Sequence, residues 1–225
     1  MTEQGTFVVF DGVEGVGKST QIRRLAERLH NAGTACLTVR EPGGTPVGDD
    51  IRGIVLHSSH DLTPAAEALL FIASRAQHVA HVIRPALDDG TVVLCDRFFL
   101  ATYAYQIAGR GLNEGDVRAA NRLATGGLVP DLTLIFDLSV EEGLMRAMKR
   151  GGHDRLERNE REFHARVREA FRLFATGPWQ KEHPEAGRIE LLDAAGPEDV
   201  VERRVLDVLI KHVPQTFGAL AASHS

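Results

Sequence analysis

The segment FDGVEGVGKST, residues 10–20, constrains the fold more than any other stretch of the chain. Gly12, Gly17, Lys18 and Ser19 fill a glycine-x4-glycine-lysine-serine spacing. In that spacing side-chain-free turns let backbone N–H groups close around phosphate oxygens, the lysine reaches the β- and γ-phosphates, and the serine hydroxyl ligates magnesium. The flanks agree. TFVVF (6–10) is an apolar, β-rich run, and STQIRRLAERLHNAG (19–33) is an amphipathic helix whose positive N-terminal end faces the phosphates. Residues Gly12, Val13, Glu14, Gly15, Val16, Gly17, Lys18, Ser19 and Thr20 are therefore read as the loop that holds a nucleotide donor.

Strand-like and helix-like patterns alternate beyond the loop. Apolar runs at 6–10, 34–40, 91–96, 132–138 and 188–193 are separated by helical patterns too long for hairpin turns. That alternation implies a three-layer α/β/α fold, a five-stranded parallel sheet with helices on both faces. Ligands of such sheets bind at the strand C-terminal ends. With 225 residues, 43% of them hydrophobic, the chain can bury one substantial core, so a single domain over 1–214 is expected, followed by a fraying tail at 215–225. A formal charge of −5 argues against nucleic acid as a partner. Cys36 and Cys95 lie inside apolar runs, as buried thiols of a reducing compartment do. No stretch approaches the length of an apolar membrane span, and a cytoplasmic location is expected.

Three further stretches bear on what receives the phosphate. REPGGTPVGDDIR (40–52) leaves a strand, turns through Pro42, Gly43 and Gly44, and enters a helix near Pro46 that carries Arg52. Such a turn is either a functional element or only a connection. In CDRFF (95–99), Asp96 closes a strand where an acid can hold magnesium, and Arg97 can fork onto a phosphate; the alternative is a surface ion pair. The third stretch, 63–87, reads as one long helix. At the helical period Leu69, Ile72, Ala76, Val79, Ala80, Ile83 and Leu87 form a core stripe, and Phe71, Arg75, His78 and Val82 a second stripe. Phe71 and Arg75, one turn apart, could stack on and hydrogen-bond a planar base, although packing explains Phe71 equally well. His78 and His81 lack a third ligand for zinc.

Taken in order, EGVGKST, REPGGTP, LLFIASRAQHV, CDRF, ATYAYQ and KRGGHDRLE resemble the thymidylate kinase family between about Phe7 and Asp193. The resemblance implies a five-stranded parallel core, ATP with Mg2+ as donor, dTMP as acceptor and a homodimer. It implies that Lys18 bridges the donor phosphates, that Ser19 ligates the magnesium, and that Glu14 lies near the acceptor phosphate and sugar. Arg52 and Arg97 would grip the dTMP phosphate. Phe71 would stack on thymine, Arg75 would reach a thymine carbonyl, Thr102 would offer the base a polar contact, Tyr105 would pack on the deoxyribose, and Gln106 would lie near the acceptor. Ala101 and Phe98 depart from the commoner serine and tyrosine of the family pattern.

One branch of the family carries an arginine directly after the loop acid, where this chain has Gly15. The cation that stabilises the transferring phosphoryl group must then come from elsewhere. MRAMKRGGHDRLE offers Arg146, Lys149, Arg150 and Arg155 beside Gly151 and Gly152, matching the family's lid at about 146–158. Arg150 or Arg155 is the expected catalytic cation; the alternative is a solvated helix end. Competing functions are another nucleoside-monophosphate kinase or a nucleotide-switch ATPase, which needs no base-binding set.

Overall fold

The computed structural model describes residues 4–58, 60–149 and 161–223. Five strands, β1 (Phe7–Gly12), β2 (Cys36–Arg40), β3 (Val92–Asp96), β4 (Leu132–Asp137) and β5 (Ile189–Asp193), pair in the order β2-β3-β1-β4-β5, every pair parallel. Each falls on a strand expected from sequence. The three inner strands β3, β1 and β4 are buried on both faces, which explains their unbroken apolar runs; edge strands β2 and β5 are only partly covered. The strand order reverses beside β1, so a crevice opens at the C-terminal ends of β1 and β3, where Phe10 pairs with Asp96.

Helices connect these strands: α1 (Lys18–Asn31), α2 (Pro46–His57), α3 (Pro64–His78), α4 (Arg84–Asp88), α5 (Phe99–Thr102), α6 (Glu114–Thr125), α7 (Val140–Lys149), α8 (Arg161–Phe174), α9 (Gly177–Glu182), α10 (Glu198–His212) and α11 (Pro214–Phe217). Threonine caps start two of them: Thr45 accepts from Gly48 N–H ahead of Pro46, and Thr63 from Ala66 N–H ahead of Pro64.

The stretch expected as one helix over 63–87 is instead α3, a π-helical segment Val79–Ile83, and α4. The wider π turn shifts the helical phase only from Val79 onward, so it bears on Ala80 but not on Leu69, which lies ahead of it. Ile72, Val79, Ile83 and Leu87 are buried as expected, but Leu69 is 60% exposed and Ala80 is exposed. The buried face of α3 carries Glu67, Ala68, Ile72, Ser74, Arg75 and His78, so the second stripe points inward.

The tail also departs from expectation. Pro214–Ser223 continues as α11 and a 3₁₀ segment, with Phe217 and Leu220 in the main core. Two apolar anchors offset the ordering cost of a weakly patterned segment.

Candidate active site

The crevice holds a cavity of about 270 Å³ lined by Glu14 through Thr20, Arg52, Phe71, Arg75, Asp96, Arg97, Thr102, Tyr105 and Gln106. Residues as far apart in sequence as Glu14 and Gln106 thus line one cavity. Gly12 and Val13 lie just behind, their carbonyls accepting from Lys18 Nζ at 3.1 and 2.9 Å. Burial, then the Arg97 charge, push the Lys18 ammonium down to about 8 against the pull of Asp96, Glu14 and Asp11. A bound triphosphate would raise it again.

Ser19 Oγ donates to Asp96 Oδ2 at 2.7 Å. These hard oxygen donors stand side by side at the end of β3 and the start of α1, and they suit a magnesium ion that takes its remaining ligands from phosphate and water. Among the described residues no cluster of three or more His, Cys, Asp or Glu forms a separate metal cage.

Gly15 has φ +72°, and a Cβ there would lie 1.9 Å from the Gly143 carbonyl oxygen on α7. The position that carries an arginine in one branch of the resembled family is therefore sterically closed in this loop. Arg146 of the expected lid is paired with Glu142 one turn back on α7. Arg150, Gly151, Gly152 and Arg155 lie outside the described residues.

Arg97 lines the same cavity as the phosphate loop's Lys18, among Glu14, Tyr105 and Asp11. It is a non-glycine residue held at φ 71°, its N–H bonded to Phe10 O at 2.9 Å and its carbonyl accepting from Cys95 Sγ at 3.0 Å. Strained backbone of this kind persists only where surrounding contacts over-determine it. Its guanidinium lies 5.0 Å over the Tyr105 ring, donates to Glu14 Oε1 and Tyr105 OH at 3.1 Å each, and stands 3.7 Å from Asp11. Burial would lower its pKa, but Tyr105, Glu14, Asp11 and Asp96 outweigh that and raise it, so the group stays cationic. Tyr105 OH donates to Glu14 Oε1 at 2.5 Å. Burial raises the Glu14 carboxyl, yet His164, Arg97, Tyr105 and Lys18 together hold it down at about 2. Asp11 goes the other way: burial pushes it up to about 6 against Arg97 and Lys18.

The residues expected on the base side are held by contacts within the protein. Arg75, 2% exposed, donates Nε–H to Glu41 at 2.8 Å, Nη1 to Thr102 at 3.0 Å and to Asn121, and Nη2 to Phe98 O at 3.1 Å. Gln106 Nε2 donates to buried Glu67 at 2.9 Å. Phe71 is half-buried, packed against a small cluster of Ile51, Val55 and Leu56. Arg52 Nη1 donates to Pro42 O at 2.9 Å, so the REPGG turn and α2 brace each other.

Sequence reasoning missed Glu41, Asp11, Asn121 and His164. Glu41 stands inside the REPGG turn, whose sequence signal lies in its glycines and proline, and Asp11 directly precedes the phosphate loop. His164 is buried 3.5 Å from Glu14 Oε2, long for a hydrogen bond, and Asn121 reaches Arg75 from α6; neither carried a local signal.

The family model described as thymidylate kinase matches residues 10–195. The chain belongs to the thymidylate kinase family. It is 46% identical to the thymidylate kinase of Deinococcus radiodurans over 202 residues, which cover 90% of this chain and 95% of that protein. It is 49% identical to that of Synechococcus sp. (strain JA-3-3Ab) over 203 residues (90% and 94%), and 43% to that of Geobacter sulfurreducens over 218 (94% and 99%). Among the described residues of this thymidylate kinase family member, no helix is long and apolar enough to cross a membrane.

Proposed function

We propose that this kinase transfers the γ-phosphoryl group of ATP to dTMP, giving dTDP and ADP, with Mg2+ on the donor phosphates. The observation that carries the reading is one cavity in which a phosphate loop, the Arg97–Glu14–Tyr105 cluster and the braced Arg75 face one another. The loop N–H groups and Lys18 hold the donor. Arg97 and Arg52 grip the acceptor phosphate, Tyr105 lies along the sugar, and Phe71 stacks on the base. Ser19 and Asp96 would hold the magnesium, which supplies positive charge to the donor phosphates when bound. Two anions are thereby aligned for in-line transfer, and the protein's contribution is positioning and charge.

Because Gly15 leaves no room for a loop cation, Arg150 or Arg155 is proposed to neutralise the transferring phosphoryl group. A homodimer is proposed on the apolar surface of α2 and α3, where Val47 and Ile54 are exposed beside Leu69. A cytoplasmic location suits its two unpaired thiols. The domain proposed for 1–214 gains Phe217 and Leu220 as core anchors.

An ADP-release assay with ATP and Mg2+ against a panel of monophosphates tests the reading. dTMP is expected to stimulate most, dUMP less, and AMP, CMP and GMP hardly at all. If AMP or GMP were the best acceptor, the assignment of the base site would fall while the kinase fold reading survived.

A further inference from the structure

The REPGG turn has so far only a connecting role, yet it makes more contacts with the base-reading helix α3 than a connection needs. Gly43 N–H donates to Ser74 Oγ at 3.0 Å. Gly44, at φ +84°, lies so close to α3 that a Cβ there would sit 2.7 Å from His78 Nε2. Glu41 Oε2 accepts from Arg75 Nε at 2.8 Å, with both side chains at most 3% exposed. Its other oxygen, Oε1, faces His78 Nδ1 at 3.6 Å and has no hydrogen bond among the described residues.

The Arg75 guanidinium carries five N–H donors. One goes to Glu41, two to Thr102 and Asn121, and one to Phe98 O. One Nη2 hydrogen remains without a partner among the described residues, on a side chain that lines the cavity with Phe71. Thr102, Asn121 and the Phe98 carbonyl orient the guanidinium but bring no charge. Glu41 is the anion in contact with it, and a buried cation without its counter-ion is strongly disfavoured.

We propose that Glu41 is a positioning residue that determines base specificity. It fixes the plane of Arg75, with His78 packed behind the carboxylate, so that the one uncommitted N–H meets a ring carbonyl. A fixed donor accepts a 4-oxo pyrimidine such as thymine or uracil and opposes a 4-amino pyrimidine such as cytosine, whose exocyclic group is itself a donor. When Glu41 is removed, Arg75 loses its orientation along Nε and swings toward water or Glu14, and the donor no longer opposes cytosine. This inference rests on the proposed dTMP kinase reading.

The test compares kcat/KM for dTMP and dCMP, together with the KM for ATP, in wild type, Glu41→Ala and Glu41→Gln, with thermal melts to verify folding. In Glu41→Ala the dTMP-to-dCMP ratio is expected to fall at least about tenfold, mainly through KM, with the KM for ATP within about twofold of wild type. Glu41→Gln, whose amide oxygen restores the Nε–H bond without the charge, is expected to lose about threefold. A residue that merely supported the fold would weaken both acceptors and ATP together. A folded Glu41→Ala with an unchanged ratio, or with parallel losses for ATP and dTMP, overturns the proposal. If Glu41→Ala does not fold, an unchanged ratio in Glu41→Gln does so. A wild type inactive on dTMP would refute the underlying reading instead.

Discussion

Replacing Gly15 by alanine isolates the contact that closes the phosphate loop to a side chain. Two effects combine there. An L residue at φ +72° costs about 1–2 kcal/mol of backbone strain, partly offset by the stiffer unfolded chain. The added Cβ also meets Gly143 O at 1.9 Å where at least 3.0 Å is needed, so loop and α7 must separate by about an ångström. Overpacking of that kind adds about 1–3 kcal/mol. Gly17→Ala is the control, because Gly17 has φ +94° but nothing within 4 Å of its missing Cβ. At about 2–4 °C per kcal/mol for a chain of this size, Gly17→Ala is expected to lower Tm by about 2–4 °C and Gly15→Ala by about 6–12 °C. Shifting the loop by an ångström is also expected to reduce kcat about a hundredfold. Calorimetry and the coupled ADP assay read both quantities. If Gly15→Ala melts no lower than Gly17→Ala, or Gly15→Arg turns over faster than wild type, the steric argument and the need for a cation outside the loop are refuted together.

Arg97→Ala is expected to cut turnover strongly with ATP affinity nearly intact, whereas Lys18→Ala damages donor binding; equal calorimetric losses in ATP affinity would contradict the acceptor-side placement of Arg97. Replacing Arg150 and Arg155 singly by methionine is expected to lower kcat at least about tenfold for the residue that neutralises the phosphoryl group, about 1.4 kcal/mol, with dTMP affinity little changed; full kcat in both and in the double variant would leave that stretch a solvated helix end. Asp11 supplies a pH test. Its pKa rises from 3.8 unfolded to about 6 folded, so the native state binds the extra proton and stability falls as pH rises through that interval. Glu14, held down at about 2, contributes stability that is lost only below its ordinary 4.5, and the comparison with Asp11→Asn removes the contribution of other groups such as His212, whose pKa is lowered from 6.5. Between pH 4.5 and 6 wild type is expected to lose about 2 kcal/mol relative to Asp11→Asn in urea titrations; parallel curves would exclude burial as the dominant influence on Asp11.

The phosphate loop, the five strands and the strand-end pair Asp96 and Arg97 were legible in the sequence because each rests on local rules, whereas Thr102, Tyr105 and Gln106 of the cavity lining were named only through the family resemblance and Arg40, Glu41 and Leu56 not at all. Glycine spacing dictates a phosphate cradle, unbroken apolar runs dictate strands covered on both faces, and an acid followed by an arginine at a strand end falls on the ligand edge of a parallel sheet. Burial of α3 was not legible. Periodicity equates apolar with inward, which sent Leu69 to the core and left Arg75 and His78 as a side stripe. The fold reverses this, because Glu41, Thr102 and Asn121 arrive from elsewhere in the chain to satisfy Arg75. His164 beside Glu14 and Gly143 against Gly15 are of the same kind. A single sequence specifies which groups can form bonds with their near neighbours; which distant group completes a buried charge, or forbids a Cβ, is decided only when the sheet brings separate segments within ångströms of each other.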